Sequence, residues 1–278
     1  MSIDRIERLG NSLIQHGPQN DRVYLLKLGK EDLPEIAGHL VEMAKDRGYS
    51  KIFAKIPVDS RRPFIDSGYV EEARIPGFYK CTTDGLFLSR FLSPTRETEN
   101  QPELVAEVLE TARGKRRLSV KPGLAEGQRY GMMCQGDVEE MAELYRQVFD
   151  SYPFPINDPA YLQKTMDENL IYFGIWADDR LVALSSAEID FANQNAEMTD
   201  FATLPAFRGQ GLANFLLEKM EAAIRQLGIR TAYTIARAYS YGMNITFAKQ
   251  GYLHGGTLTA NTQISGGLET MNVWYKPL

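Results

Sequence analysis

The hydrophobic and polar positions of the chain form a regular succession of strand-like and helix-like segments. In the first third, apolar or alternating runs at 23–28, 51–56, 69–75 and 86–92 predict strands, and stretches at 32–47 and 60–66 predict helices between them. Asp32 is the candidate N-cap of the first helix, with Pro34 near its start and Gly48 at its end. This part of the chain is therefore predicted to be a small α/β unit.

A second and larger unit follows a polar, proline-bounded segment at 93–102 and a predicted helix at 102–113. Its pattern predicts strands at 130–134, 170–177, 181–189, 195–204, 231–236, 252–259 and 270–275, and helices at 137–149, 212–227 and 241–249. Asp137 and Glu140 have the spacing of a capping box at the start of the first of these helices. We therefore divide the chain into an N-terminal domain, 1–92, a linker with a short helix, 93–127, and a C-terminal domain, 128–278.

Composition narrows the classes of function. The chain of 278 residues is 44% hydrophobic, which is enough for a sizeable core, and its net charge of −5 argues against a nucleic-acid partner. The short basic run at 114–117 with Lys121 is interpreted as a solvated linker. Cys81 and Cys134 have no metal-like spacing and the three histidines are scattered, so we expect no metal site. There is no signal-type N-terminal segment and no long apolar run, which predicts a cytoplasmic protein without a membrane partner.

The turn that precedes the helix at 212–227 is the strongest candidate site. It follows a strand that ends at Pro205 and contains, in order, Arg208, Gly209, Gln210, Gly211, Leu212 and Ala213. A glycine-bearing turn at a helix N-terminus presents free backbone N–H groups to an anion, and the arginine adds positive charge beside them. The pattern predicts a phosphate or diphosphate site, although it is neither a P-loop nor a dinucleotide fingerprint.

The arrangement Arg-x-x-Gly-x-Ala resembles the acyl-CoA signature of the Gcn5-related N-acetyltransferases, the GNAT superfamily. The resemblance implies a C-terminal GNAT fold in the α/β (α+β) class, with a mixed, mostly antiparallel sheet, and acetyl-CoA as the co-substrate. It also implies CoA contacts from Phe201, Ala202 and Thr203, from the turn 208–213, and from Ser240 and Phe247. Segments 152–156, 197–205, 244–252 and 266–276 look more specifically like the β-lysine N-acetyltransferases, whose product, Nε-acetyl-β-lysine, is a compatible solute.

The chemistry of amine acetylation requires a proton acceptor, since a lysine-type ammonium is almost fully protonated at neutral pH. The resemblance makes Glu197 the expected base. Asp200 is three residues further on, and strand alternation sends it to the opposite face unless a bulge intervenes; it is kept for ammonium binding or fold support. Phe247 occupies the position of the family's general-acid tyrosine, so either CoA leaves as a thiolate or Tyr239 or Tyr241 replaces it.

An acceptor such as β-lysine has two ammonium groups and one carboxylate. Glu188 or Asp200 are the expected partners of its β-ammonium, and Arg237 is the expected partner of its carboxylate. Tyr152 and Phe154 are expected to wall its methylene chain or to have an ordinary core role.

The predicted order of elements in the first domain recurs at the C-terminus, with Gly68-Tyr69 and Gly251-Tyr252 in matching places. We therefore expect an internal duplication, in which the first copy is a degenerate half-GNAT-like domain. Its turn at 29–32 has two acids and lacks the second glycine, which would repel diphosphate and predicts a structural or interface role.

Two alternatives remain at this stage: a GNAT enzyme for another small amine or a protein amine, and a non-catalytic acyl-CoA-sensing module. A homodimer through an antiparallel edge at the C-terminus is also predicted as an option.

Overall fold

The structure is a computed structural model that describes residues 4–115, 123–264 and 266–278. Most of the basic linker run, including Lys121, lies outside these residues. No helix in the described ranges is long and apolar enough to cross a membrane.

Helices and strands follow the predicted succession closely. The strands are β1 Arg5–Leu9, β2 Ser12–Gly17, β3 Arg22–Lys27, β4 Lys51–Pro57, β5 Val70–Tyr79, β6 Thr83–Phe91, β7 Gln128–Met132, β8 Leu170–Ala177, β9 Arg180–Asp190, β10 Asn195–Thr203, β11 Thr231–Arg237, β12 Leu253–Ile264 and β13 Gly267–Pro277. The helices are α1 Ile36–Asp46, α2 Arg61–Asp66, α3 Pro94–Glu97, α4 Pro102–Gly114, α5 Val138–Val148, α6 Pro159–Glu168, α7 Leu212–Gln226 and α8 Tyr241–Lys249.

All the described strands belong to one mixed sheet, in the order β1-β2-β3-β4-β6-β5-β12-β13-β11-β10-β9-β8-β7. The pairs β3–β4 and β10–β11 are parallel, and the other neighbours are antiparallel. The sheet crosses from one half of the chain to the other where β5 meets β12, at the pair Ala73 and Gly256. Gly256 has a φ of +146° and no room for a Cβ, because Ala73 and the carbonyl of Glu72 lie directly against it.

The strand order repeats about this junction. Read outward from it, β5-β6-β4-β3 matches β12-β13-β11-β10, with a parallel pair at the same place in each series. The order along the chain repeats as well. Helix α1 precedes β4, β5 and β6, and the shorter helix α2 follows β4. In the same way α7 precedes β11, β12 and β13, and the shorter helix α8 follows β11. We call residues 4–92 the N-terminal half and residues 128–278 the C-terminal half. The observed order is the one expected of a duplication, while the domain boundaries stay a prediction.

Two local predictions are wrong, and one hairpin is missing from the predicted elements. The first helix begins at Ile36, and Asp32 does not cap it; its carboxylate accepts hydrogen bonds from the Asn11 amide and the Ser12 hydroxyl. Glu140 does not complete a capping box, because it accepts from Trp176 Nε1 and the Leu181 amide. The hairpin β1–β2 was not predicted at all.

The predicted free edge at the C-terminus is also wrong. The last strand, β13, lies between β11 and β12, and β12 itself pairs with β5. The edges of the described sheet are β1 and β7, so a dimer through a C-terminal strand edge has no free strand to use.

Candidate active site

A cavity of about 850 Å³ lies between the two halves of the chain. The N-terminal half contributes Arg22, Tyr24, Phe53, Lys55 and Phe78 to its wall. The C-terminal half contributes Tyr152, Glu188, Glu197, Asp200, Tyr233 and Phe247. The cavity therefore contains most of the predicted catalytic and acceptor residues, together with a wall that the sequence did not assign to the site.

The parallel pair β10–β11 opens beside this cavity. The two strands are paired only from Asn195 with Thr231 to Glu197 with Tyr233. Beyond that point β10 continues to Thr203 and β11 to Arg237 without further pairing between them. Because the strands diverge, a gap forms immediately after Glu197 and leads towards the end of β10.

A β-bulge in β10 decides the orientation of Asp200. Its φ is +54°, and the register with β9 shifts between Thr199 and Ala202. The bulge cancels the strict alternation, so Asp200 lines the same cavity as Glu197. Both of its oxygens are engaged, since Tyr152 donates to Oδ1 at 2.6 Å and Ser186 donates to Oδ2 at 2.5 Å. Asp200 thus fixes the loop that contains Tyr152.

Glu197 is the less constrained carboxylate. Burial raises its pKa, and Glu188 adds to the rise, whereas Lys55 and a hydrogen bond from Tyr233 lower it, with a net value of about 7. A carboxylate with this pKa is partly deprotonated at neutral pH and can still hold a proton. That combination is what a general base for an amine requires.

Lys55 connects Glu197 to the N-terminal half. Its Nζ atom donates to the Tyr233 hydroxyl at 3.0 Å and lies over the ring of Tyr233. Tyr233 is the direct cross-strand partner of Glu197 and makes the hydrogen bond that lowers the pKa of Glu197. Burial alone would lower the pKa of Lys55, but Tyr233, Tyr24 and Glu197 outweigh it and raise that pKa well above its ordinary value. Lys55 is therefore a cation at neutral pH.

The turn 208–213 has the properties of an anion site. Gly209 and Gly211 both have a φ of +80°, and a Cβ at either position would meet nothing within 4 Å. Their left-handed backbone favours glycine, and the open space leaves room for a ligand. No side chain caps α7, and its first hydrogen-bonded turn is closed by the amide of Phe215 on the Gly211 carbonyl. The amides of the first turn of α7 are thus oriented towards this open surface.

Other residues of the predicted turn have local partners. The Arg208 guanidinium is exposed and donates through Nε to the Thr203 carbonyl at 3.2 Å. Gln210 accepts from Gln128 at 3.1 Å. Leu212 is buried and Ala213 is half-buried on α7. Neither polar contact closes the space in front of the two glycines.

Helix α8 and the two residues before it contain several of the predicted CoA-contacting and general-acid residues. Ser240 caps it by accepting from the Met243 amide at 3.4 Å. Phe247 is buried and packs edge-on against Phe201, and both rings line the cavity. Tyr241 instead interacts with Glu107 of α4, a hydrogen bond that raises the pKa of its hydroxyl. Tyr239 donates to Glu99 at 2.6 Å. Neither tyrosine belongs to the cavity wall, so the structure brings neither of these two predicted replacement acids to the site.

The residues predicted to bind the acceptor all line the cavity, but some of them are already hydrogen-bonded to other side chains. Glu188 opens into it, and the pKa of this carboxyl is raised by desolvation. Phe154 and Tyr152 form part of the wall. Arg237 also lines the cavity, but Glu269 already holds its Nε and Nη2 atoms at 2.8 Å and 2.6 Å. A carboxylate could use these two atoms only if that ion pair opened.

The chain is similar to known acetyltransferases over nearly its whole length. Residues 138–252 match the model of the acetyltransferase (GNAT) family. The chain is 38% identical to the β-lysine N(6)-acetyltransferase of Methanococcus maripaludis, over 99% of both chains. It is 32% identical to the enzyme of that name from Methanosarcina mazei, over 88% of this chain and 97% of the other. The N-acetyltransferase YodP of Bacillus subtilis is 33% identical over 96% of each chain. These similarities confirm the predicted resemblance and include the N-terminal half.

Proposed function

We propose that this chain, which belongs to the GNAT family of acetyltransferases, transfers the acetyl group of acetyl-CoA to the ε-amine of β-lysine. The observation that carries the proposal is the placement of Glu197 inside the cavity, at the point where β10 and β11 separate and on the strand that leads into the turn 208–213. Relatives that resemble the chain over nearly its whole length are β-lysine N(6)-acetyltransferases.

The donor side of the site fits a diphosphate. The first-turn amides of α7, the open left-handed glycines 209 and 211, and the exposed charge of Arg208 would hold it. The gap between β10 and β11 then leads from this turn into the cavity. When bound, acetyl-CoA supplies an acetyl thioester as the electrophile. We assign the stabilisation of negative charge on the thioester oxygen to a backbone amide in the segment 201–203, at the end of β10.

The acceptor side provides the proton acceptor. An ammonium with a pKa of about 10.4 must lose its proton before it attacks, which costs about 4–5 kcal/mol at pH 7. Glu197, with a pKa of about 7, accepts that proton, and the neutral amine then forms the C–N bond as the C–S bond breaks. CoA leaves as the thiolate and takes up the second proton, which the attacking nitrogen loses as the amide forms. Tyr239 and Tyr241 do not supply this proton, because they are bound to Glu99 and Glu107 away from the cavity.

Carboxylates of the C-terminal half would orient the acceptor. Glu188 opens into the cavity on the strand next to Glu197, with which it is directly paired. We assign the second ammonium of β-lysine to Glu188, because Asp200 is already engaged by Tyr152 and Ser186. Two ammonium groups facing several acids satisfy the charge balance that an uncharged or anionic acceptor would not.

Acetyl-CoA turnover on a panel of amines tests this function. We expect release of CoA thiol to be fastest, in kcat/KM, with β-lysine, slower with lysine and spermidine, and slowest with an N-terminal peptide amine. Mass spectrometry and NMR of the product should show one acetyl group on the ε-nitrogen. Preference for another acceptor would overturn the substrate, and binding of acetyl-CoA without turnover on any amine would overturn the activity.

A further inference from the structure

The charges of the cavity are segregated by the two halves of the chain. The acids, Glu168, Glu188, Asp190, Glu197 and Asp200, all come from the C-terminal half. The N-terminal half contributes cations, of which Arg22 and Lys55 are enclosed and Lys27, Lys30 and Lys80 are exposed. The remaining cavity-lining cation, Arg237, is neutralised by Glu269. An acceptor with ammonium groups at one side and an anionic group at the other matches this arrangement.

Arg22 has hydrogen-bond donors that are suited to binding an anion. It is only 4% exposed, and its Nη1 atom is held by the Asn261 carbonyl and by Thr262 Oγ1. Its Nε atom is buried without a hydrogen-bond partner in the described part of the chain, and Nη2 donates to no described residue. Nε and Nη2 form one edge of the guanidinium, which is an edge that a carboxylate can bind in bidentate fashion.

Buried cations elsewhere in the described structure show what Arg22 lacks. Lys51 is paired with Glu72 at 3.0 Å and Arg96 with Asp21 at 3.3 Å. Even the half-buried Arg237 is paired, with Glu269. Arg22 has no carboxylate within ion-pair distance among the described residues. Burial lowers its pKa to about 10, so it is still charged at neutral pH. A buried, charged guanidinium with an empty edge is costly unless a ligand fills that edge.

We propose that Arg22 binds the carboxylate of the acceptor, so that the N-terminal half makes the enzyme specific for an amino acid over the corresponding plain diamine. The inference rests on the proposed acetyl transfer and deepens it. It assigns substrate recognition to the half of the chain whose own CoA-type turn is degenerate.

Arg22 and Glu197 line the same cavity, and Tyr24 is in contact with one and under the electrostatic influence of the other. The Arg22 guanidinium lies over the ring of Tyr24, at 5.1 Å from the ring centroid. Tyr24 in turn is close enough to Lys55 and Glu197 for their charges to alter the pKa of its hydroxyl. Tyr24 therefore stands between Arg22 and the base. The carboxylate would lie at the Arg22 end, and the reacting amine, six bonds from the carboxylate carbon in β-lysine, at the Glu197 end.

Paired substrates test this role directly. The diamine 1,4-diaminopentane is β-lysine without its carboxylate, and β-lysine amide keeps the shape but loses the negative charge. We expect Arg22→Gln to lower kcat/KM for β-lysine by at least about 30-fold, chiefly through KM, and to change that for the diamine less than about threefold. The wild-type enzyme should lose a similar factor on the amide, and Arg22→Gln should lose little more on it.

Arg96→Gln is the matched control. Arg96 is also a buried arginine that supports β12, through the Ala260 carbonyl at 2.7 Å, but it does not line the cavity. A purely structural effect of losing such an arginine should lower thermal stability and reduce activity on β-lysine and diamine alike. Arg22→Lys, which keeps the charge, should recover part of the β-lysine activity.

Each result decides the proposal separately from the choice of substrate. If wild type prefers lysine to β-lysine, the same test with lysine and 1,5-diaminopentane applies, and only the proposed acceptor fails. Equal losses on acid and diamine in Arg22→Gln, or a wild type that prefers the diamine, would overturn the role of Arg22. So would a variant that does not fold, combined with wild-type indifference to the amide.

Discussion

The two halves of the chain have the same strand order but differ at the start of the corresponding helices, α1 and α7. Before α7, two open left-handed glycines leave the first-turn amides uncovered. Before α1, the chain passes through Glu31, Asp32 and Glu35, and the Asp32 carboxylate binds the neighbouring hairpin at Asn11 and Ser12. The same topology thus presents hydrogen-bond donors in one half and acidic side chains in the other.

The same contrast holds at the parallel strand pairs. Counted from the first paired residues, Tyr24 of β3 takes the position that Glu197 has in β10, and Phe53 of β4 takes the position of Tyr233. Both replacements still line the common cavity. The N-terminal half therefore has no carboxylate at the position that matches Glu197. It still forms one wall of the cavity, and Arg22 and Lys55 belong to that wall. Under the proposed function, the N-terminal half would shape the acceptor site although its own turn is unsuited to the donor.

The largest effect should come from exchanging the base. Glu197→Gln removes the proton acceptor and should lower kcat by about 10²- to 10⁴-fold with unchanged affinity for acetyl-CoA, as measured by thiol release and calorimetry. Tyr24→Phe, at the matching position of the N-terminal half, should change kcat less than about threefold. Comparable losses in both variants would contradict the assignment of the base to one half.

Copying the acidic turn into the C-terminal half should have the next largest effect. Gln210→Glu places a carboxylate beside the amides of α7 and should weaken acetyl-CoA binding about tenfold, with the loss reduced at high salt. Gln210→Ala, which also loses the contact with Gln128, controls for that hydrogen bond. Equal affinities of the two variants for acetyl-CoA would show that charge at this turn is unimportant.

The pH dependence separates the contribution of Lys55. Glu197 faces Lys55 of β4, Glu188 of β9, Asp200 of its own strand and Tyr233 of β11. Since the base is active when deprotonated, kcat/KM should rise as pH increases through about 7. Lys55→Met removes a charge that lowers the pKa of Glu197, so this rise should move to higher pH by about one unit.

Two variants control for the loss of a buried lysine. Lys55→Arg should keep the profile in place. Lys51→Met, on the same strand but paired with Glu72 outside the cavity, should lower stability without moving it. An unmoved profile in Lys55→Met would contradict the Lys55–Tyr233–Glu197 connection.

The smallest effect belongs to the turn of the N-terminal half. Asp32→Asn weakens its hydrogen bonds with Asn11 and Ser12 and should lower the melting temperature slightly, with kcat and acetyl-CoA affinity unchanged. Any gain of a second acetyl-CoA site in this variant would show that the acid alone separates the two turns.

The sequence predicts most elements and the donor side of the site, because periodicity and the glycine turn are local signals. The orientation of Asp200 depends on a bulge at a non-glycine residue with φ +54°, which strand alternation cannot reveal. The hairpin β1–β2 was missed because β1 is short and mostly exposed. Arg22 and Lys55 were missed because each is one of two cations in a mainly apolar strand, and the sequence does not show which cation faces a site. Such an interruption is itself a signal, but the partner wall only becomes visible when β5 joins β12.

Calorimetric titration of the intact protein with acetyl-CoA tests most directly whether only the C-terminal half binds the donor. We predict that one molecule binds per chain. Gly211→Ala should weaken binding, because a Cβ disfavours the φ of +80° and occupies part of the open space in front of the turn. Two molecules per chain, no binding, or full affinity in Gly211→Ala would contradict it.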